Sequence, residues 1–258
     1  MNIPKITLII STLNAGKNLE KTIISYLGQS HRNKELIIID GESVDSTNQI
    51  VSKYKDIIYY SCSEKDKGVY DAWNKGLSIC NGKWVCFLGA GDEFYSKDTL
   101  SDLIKLSNDE KINFISGKIY LHDQNGNYIE DLGREWSYRK ISSQIVIGHP
   151  GSLHKKILFK KYGLFNSDYK ISGDHEFLIR VGKNIESKYL RNYVVKMDNC
   201  GISKTNPAQA IFESAKALKN NHNFGFLISI KFLIIAFIKY NIKSLLTKLK
   251  LLNFFKYN

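Results

Sequence analysis

Proline is nearly absent from these 258 residues, with only 3 against 18 glycines, and the 4 cysteines form no C-x-x-C pair. Globular proportions of hydrophobic (43%) and charged (24%) residues exclude collagen-like, low-complexity and broadly disordered chains. Cys62, Cys80, Cys86 and Cys200, with no histidine at zinc-finger spacing, point to a reducing, cytosolic setting in which they act as small apolar residues. No G-x-x-x-x-G-K-[ST] loop occurs and no G-x-G-x-x-G follows the first apolar run, which disfavours Walker-type NTPases and dinucleotide-dependent Rossmann enzymes. A G-x-S-x-G nucleophile elbow is missing too. Arginine is scarce, although it is the usual residue for bidentate contact with guanine and phosphate, so nucleic acid is not expected as a partner. Acids are missing from one region above all. Residues 203–258 hold nine lysines and a single acid, Glu213, a balance of +8 within a formal charge of +12.

What is present is an alternation. Residues 5–11 (KITLIIS) form a continuous apolar run, as in a strand buried on both faces, without the basic lead-in or cleavage site of a signal peptide. A polar turn, TLNAGKN, precedes Leu19, Ile23, Ile24 and Leu27 at helical spacing. Residues 35–40 (ELIIID) predict a second buried strand ending on an acid, 45–55 a helix, 57–61 a third strand, 70–79 a helix and 84–88 (WVCFL) a fourth strand. Strands alternating with helices from the start imply a parallel α/β sheet. Beyond Asp92 the rhythm changes: a helix at 100–106, a hairpin of 114–120 with 128–132, a strand at 149–154, a helix at 172–181 and a closing strand at 188–197. The last helix opens on a serine followed by an acid, a helix-start signal. Pro207 heads a long helical tail, with a soft boundary at 200–206.

In open parallel sheets, ligands bind beyond the carboxyl ends of the strands. Asp40, the Asp66 loop and Asp92 all fall there, whereas Asp45 and Asp98 read better as helix caps. A lone acid after a buried strand suits a divalent cation shared with substrate phosphates, which would neutralise charge on a departing diphosphate.

Four blocks spanning about residues 4–182 resemble the family 2 glycosyltransferases of GT-A fold. ITLIISTLNAGKNLEKTIISYLGQS is similar to the family's opening strand, T-x-N turn and helix closing on Q-S. LIIIDGESVDSTNQIV resembles its D-G-x-S-x-D-x-T segment. SEKDKGVYDAWNKGLSICNGKWVCFLGAGDEF resembles a branch acting in bacterial surface-polysaccharide synthesis of the colanic acid, capsule or O-antigen type. HPGSLHKKILFKKYGLFNSDYKISGDHEFLIRVG is similar to the acceptor-side region, which ends in an acidic motif before a helix.

The resemblance implies an α/β GT-A fold: a Rossmann-like, mostly parallel central sheet flanked by helices, with a helical C-terminal extension. It implies an inverting transferase that moves a sugar from a nucleotide-diphosphate sugar to a hydroxyl of a glycan or lipid-linked glycan, with Mn²⁺ or Mg²⁺. Thr12, Asn14 and Asp40 would line the nucleotide pocket; Asp66, Lys67 and Asp71 would lie by the nucleotide or donor sugar. Asp92 matches the last acid of the D-x-D metal motif, but Ala90 stands where the first acid is expected. Asp174 matches the catalytic base, with Glu176 in reserve. His149 reads either as a diphosphate or acceptor contact or as a structural residue at the Pro150-Gly151 turn. Trp136 is the better acceptor-side platform, while Trp84 belongs to a buried strand. The loss of one D-x-D acid keeps a second reading open, a non-catalytic sugar-nucleotide or polysaccharide-binding module; a nucleotidyltransferase matches the first loop poorly.

The expected organisation is a transferase domain at 1–202, with a donor half (1–95) and an acceptor half (96–202), followed by a basic amphipathic tail at 203–258. In the tail, Lys231 and Lys239 interrupt an apolar run and fall within about 80° of each other on an ideal helix. A spanning helix needs ~20 apolar residues. The run is short of that, so a pair of interfacial helices facing anionic headgroups is expected, making the protein cytoplasmic and peripheral on the inner face of the plasma membrane.

Overall fold

The fold is described here from a computed structural model covering residues 5–144 and 147–248. Its frame is four parallel strands. β1 (Ile6–Thr12) lies between β2 (Lys34–Asp40) and a strand at Trp84–Gly89, and β3 (Tyr60–Ser63) flanks β2. The connecting helices are α1 (Gly16–Leu27), α2 (Thr47–Lys53) and α3 (Val69–Ile79); the strand at Trp84–Gly89 is β4. Because β1 is covered on both faces, its apolar residues alternate between two cores. Ile6, Leu8 and Ile10 pack with Leu19 and Ile23 of α1, while Ile9 packs with Tyr70, Trp73 and Leu77 of α3. The third strand begins later than its apolar start predicts, because the chain at 57–59 reaches the sheet through one bond, Tyr59 N–H to Leu36 O at 2.8 Å.

After β4 come β5 (Glu93–Phe94), α4 (Thr99–Lys105), β6 (Phe114–His122), β7 (Tyr128–Leu132), β8 (Leu153–Lys155), α5 (Ile157–Tyr162), α6 (Gly173–Val181) and β9 (Ser187–Asp198). The sheet runs β3-β2-β1-β4-β8-β6-β9-β5, with β7 pairing β6. β8 is antiparallel to both β4 and β6, and joins the parallel half to a second half in which β6 and β9 are again parallel. The predicted hairpin is β6 and β7. The strand expected at 149–154 shrinks to β8. Pro150 has no N–H to give a ladder, and Gly151 adopts φ +77° in a turn closed by Ser152 N–H to His149 O at 3.0 Å.

The two caps expected from sequence differ in outcome. Asp45 accepts from Thr47 N–H at 2.9 Å and also from Gly16 N–H at 3.0 Å, so it ties the starts of α1 and α2 together. Asp98 precedes α4 but makes no side-chain cap; Gln29, the Q of the Q-S pair, accepts from Leu100 N–H instead at 3.0 Å.

The tail is α7 (Ile202–Thr205), α8 (Pro207–Asn220, with Pro207 in its first turn) and α9 (Gly225–Lys248). Ala210 packs over α6, and Ala215, Leu218 and Phe232 join the core cluster of Phe177 and Leu178. One unbroken helix replaces the expected pair, since Lys231 and Lys239 both lie exposed and interrupt nothing. Its window Gly225–Ile242 has mean hydropathy 1.7 and is 11% buried, long and apolar enough to cross a membrane by length and composition. Lys250 and Lys256, two of the nine lysines counted in residues 203–258, lie outside the described residues.

Candidate active site

The carboxyl ends of β1, β2 and β3 bring Thr12, Asp40 and Ser63 side by side in register. Asp40 is buried at 1% exposure: Ser43 Oγ donates to Oδ1 at 2.5 Å, and Ser43 N–H and Ser63 Oγ donate to Oδ2 at 2.9 and 2.5 Å, which leaves an acceptor position on Oδ1. Thr12 Oγ1, directly across, is buried with no hydrogen-bond partner among the described residues. Asn14 takes φ +49° at the turn; its N–H donates to Ser43 Oγ at 2.7 Å and its Oδ1 accepts from Val44 N–H at 2.9 Å. Thr12, Asn14 and Asp40 therefore form one wall at the carboxyl edge of the sheet, with Ser43 and Ser63 as members that sequence reading missed.

The loop before α3 closes that wall. Asp66 Oδ1 accepts from Gly68 N–H at 2.8 Å, and Asp66 Oδ2 would stand 2.9 Å from any Cβ added at Gly41, beside Asp40. Asp71 accepts from Lys67 N–H at 3.0 Å, so these three residues form one turn, with the Lys67 side chain exposed. At the end of β4, next to β1, Gly91 takes φ +114° and donates to Thr22 Oγ1 at 2.8 Å, which turns the chain back into Asp92. Asp92 Oδ2 accepts from Gly89 N–H at 3.0 Å. Burial pushes its carboxyl up to about 7; the Gly89 bond opposes this, and the charge of Asp198, from the end of β9, adds to it.

No group of three or more His, Cys, Asp or Glu side chains suited to a metal ion occurs among the described residues. Asp92 and Asp198 are nevertheless hard oxygen donors whose like charges disfavour each other, a strain that a divalent cation relieves. The residues fit a cation completed by a diphosphate rather than one held by protein alone.

Asp174 sits in the first turn of α6, half-buried, where burial raises its carboxyl above the ordinary value against the pull of His175 N–H at 2.8 Å. Tyr70 of α3 donates to its Oδ1 at 3.0 Å, tying this acid to α3. Glu176 is no reserve base: Arg180 occupies both its oxygens, at 2.9 and 2.8 Å. His149 is 3% exposed, stacks on Trp73 with centroids 5.1 Å apart, and burial holds it down to about 3, so it is a neutral ring among aromatic neighbours. Trp73 and Trp84 are core residues, and Trp136 is partly buried against the same cluster as Trp73.

An acid-lined carboxyl edge on a half-parallel, half-mixed sheet is the arrangement of GT-A enzymes. Solved structures with this fold include Staphylococcus aureus TarS 1–349 in complex with UDP-GlcNAc (TM-score 0.67, 19% identity, covering 84% of this chain and 67% of that one). Another is the mannosyltransferase PcManGT of Pyrobaculum calidifontis in complex with GDP-Man and Mn²⁺ (TM-score 0.68, 16% identity, covering 89% and 70%). The chain spans about two thirds of the TarS fragment. Residues 7–177 match the model of glycosyl transferase family 2, and the chain belongs to that family. Relatives include a PGL/p-HBAD biosynthesis glycosyltransferase of Mycobacterium bovis, 27% identical over 209 residues (78% of this chain, 79% of the relative). An uncharacterized glycosyltransferase of Rickettsia typhi is 24% identical over 224 residues (83% and 70%).

Proposed function

We propose that the chain is an inverting glycosyltransferase that moves a sugar from a nucleotide-diphosphate sugar to a hydroxyl of a glycan or lipid-linked glycan in bacterial surface-polysaccharide synthesis. The observation that carries this reading is the Tyr70–Asp174 contact, which joins a half-buried acid of α6 to α3, the helix that follows the Asp66 loop beside Asp40. Thr12 Oγ1 and Asp40 meet the base of the nucleotide, Asn14 shapes the turn beside them, and Asp66, Lys67 and Asp71 border the donor. Thr12 Oγ1, lacking a partner among the described residues, gains one there.

Asp174 removes the proton from the acceptor hydroxyl as that oxygen bonds to the anomeric carbon. The bond from that carbon to the diphosphate oxygen breaks on the opposite face, its electron pair stays with the diphosphate, and the configuration inverts. The raised affinity of Asp174 for a proton suits a base working near neutrality. Mn²⁺ or Mg²⁺, when bound, supplies positive charge for the leaving diphosphate; Asp92 would hold it, with Asp198 adjacent. His149 stays neutral and supports α3 through Trp73.

In this reading 1–95 serve the donor, 96–202 the acceptor, and 203–258 bring the protein to an anionic membrane surface from the cytoplasm. α9 is read as interfacial rather than spanning because Ser229 Oγ donates to Ala215 O at 2.8 Å and Phe232 is buried against the body. The test is release of nucleoside diphosphate from nucleotide sugars that raise Tm with Mn²⁺. Asp174→Asn and Asp92→Ala should each abolish release with the fold intact. Ala90, in place of the first metal-motif acid, favours one other reading, a binding module that raises its Tm with donor but never releases diphosphate.

A further inference from the structure

Loop 170–172, which leads into α6, turns three consecutive backbone N–H groups toward one carboxylate. Glu213, the only acid of the tail, accepts from Lys170 through both oxygens at 3.0 and 3.1 Å, from Ile171 at 2.8 Å and from Ser172 at 2.9 Å. Gln209 Nε2, one turn earlier on α8, donates to Oε1 at 3.0 Å. Burial works against ionisation of Glu213, and the N–H groups of Ile171, Ser172 and Lys170 prevail, holding it below the usual carboxylate range.

Ser172, immediately before α6, does not cap the helix with its hydroxyl; it donates to Ala210 O of α8 at 2.9 Å. Glu213 therefore binds the N–H of Ser172, the residue at the N-cap position of α6, and of the two residues before it; the first is the bond a capping-box acid makes, beside the positive end of the helix dipole. Ile171 is held from two sides: its N–H by Glu213 of α8, its carbonyl by Tyr70 of α3 at 2.6 Å. Asp174 follows three residues later, in the first turn. Side chains that reach 41 to 43 residues back along the chain to bind backbone fix where a helix begins, and so where its first acid stands.

We propose that Glu213 is a positioning residue for Asp174, which makes α8 part of the catalytic apparatus rather than an appended tail. The role rests on the reading of Asp174 as the base. The clamp gives Asp174 its half-buried setting, so loss of the clamp lets the start of α6 fray and water reach the acid.

The test uses the full chain with Glu213→Gln and Glu213→Asp, and needs no donor. Amide hydrogen exchange follows residues 170–172, and carbon-13 NMR titration follows the Asp174 carboxyl, assigned by its loss in Asp174→Asn. Glu213→Gln should accelerate exchange at 170–172 by about tenfold or more and move the Asp174 midpoint down toward the ordinary carboxylate value. Glu213→Asp, which keeps the charge, should restore most of both. Should Glu213→Gln fail to fold, Gln209→Ala removes the side-chain bond that orients Glu213 Oε1 and must shift both readouts in the same direction, by less. A lowered Tm with unchanged exchange and an unchanged Asp174 titration overturns the proposal. Full diphosphate release by Asp174→Asn would instead remove the base assignment and leave the clamp measurable.

Discussion

The phenolic oxygen of Tyr70 lies 3.0 Å from Oδ1 of Asp174 and 2.6 Å from the carbonyl oxygen of Ile171, so one proton faces two acceptors. Ionised Asp174 competes for that proton. Protonated Asp174 can donate its own to the Tyr70 oxygen, and the phenol then stays on Ile171. Burial raises Asp174, and the Tyr70 hydroxyl is among the groups that pull it back.

Tyr70→Phe removes the hydroxyl and leaves the ring against Trp73 and Phe165. The ionised form of Asp174 loses a donor, so its pKa rises further and the acidic limb of the kcat/KM profile moves to higher pH. On that limb the rate should fall about tenfold for each unit moved. A profile that scales down uniformly without moving would mean that Tyr70 does not act through Asp174.

Asp92, pushed up to about 7 by burial and then by Asp198, has a folded pKa above its unfolded one. Its ionisation therefore costs stability; the cost is absent below the ordinary carboxylate value, accumulates as pH rises from there to about 7, and is complete above it. Cation binding needs the ionised form, so Mn²⁺ affinity measured by calorimetry should drop about tenfold per pH unit below that point. Asp92→Asn should lose Mn²⁺ binding and exceed the parent in Tm by more at pH 8 than at pH 5. Each kcal/mol relieved is worth about 2–4 °C at this chain length. Equal Tm differences at both values would show that the carboxyl is not strained.

Gly76 lies inside α3, where alanine normally gains up to about 1 kcal/mol in helix propensity. Here a Cβ would meet Ile9 Cγ2 at 2.7 Å and Cδ1 at 3.0 Å, and Ile9 is fully buried in β1. Overpacking of about 1–3 kcal/mol outweighs the propensity gain, so Gly76→Ala should lower the urea midpoint with an unchanged m-value. A raised midpoint would mean that β1 and α3 can move apart freely.

Legibility in the sequence followed the range of the interaction. β1, β2 and β4 are readable because both of their faces are buried, and each appears as an uninterrupted apolar run. β8 is three residues long and exists only through β4 and β6, so no local period announces it. Asp40 and Asp92 are readable as acids at strand ends. Ser43 and Ser63 become members of the site only once β2 and β3 are paired. Tyr70 stands 104 residues from Asp174, and Glu213 binds backbone N–H groups, which every sequence has. Asp98 shows the opposite failure: its local signal is right for a cap, yet Gln29, 71 residues from Leu100, does the work.

α9 turns an apolar stripe outward. Leu227, Ile234, Ile238 and Leu245 recur at helical spacing and are 80%, 56%, 53% and 57% exposed, while Phe232 on the other side is buried. Lys231 is exposed beside the stripe and Lys239 is exposed about 120° around the helix from it, and no acid follows Glu213 in the sequence. Two copies facing each other through this stripe would bring like charges together, whereas an anionic bilayer takes up both the apolar area and the lysines. Each lysine near such a surface contributes about 1 kcal/mol, screened by salt. The full chain should therefore float with phosphatidylglycerol-containing vesicles and far less with phosphatidylcholine alone. Ile234→Glu with Ile238→Glu should abolish flotation at unchanged Tm, because neither side chain is packed against the body. Retained flotation in that double variant, or a dimer that it splits in the absence of lipid, would place the stripe against protein instead.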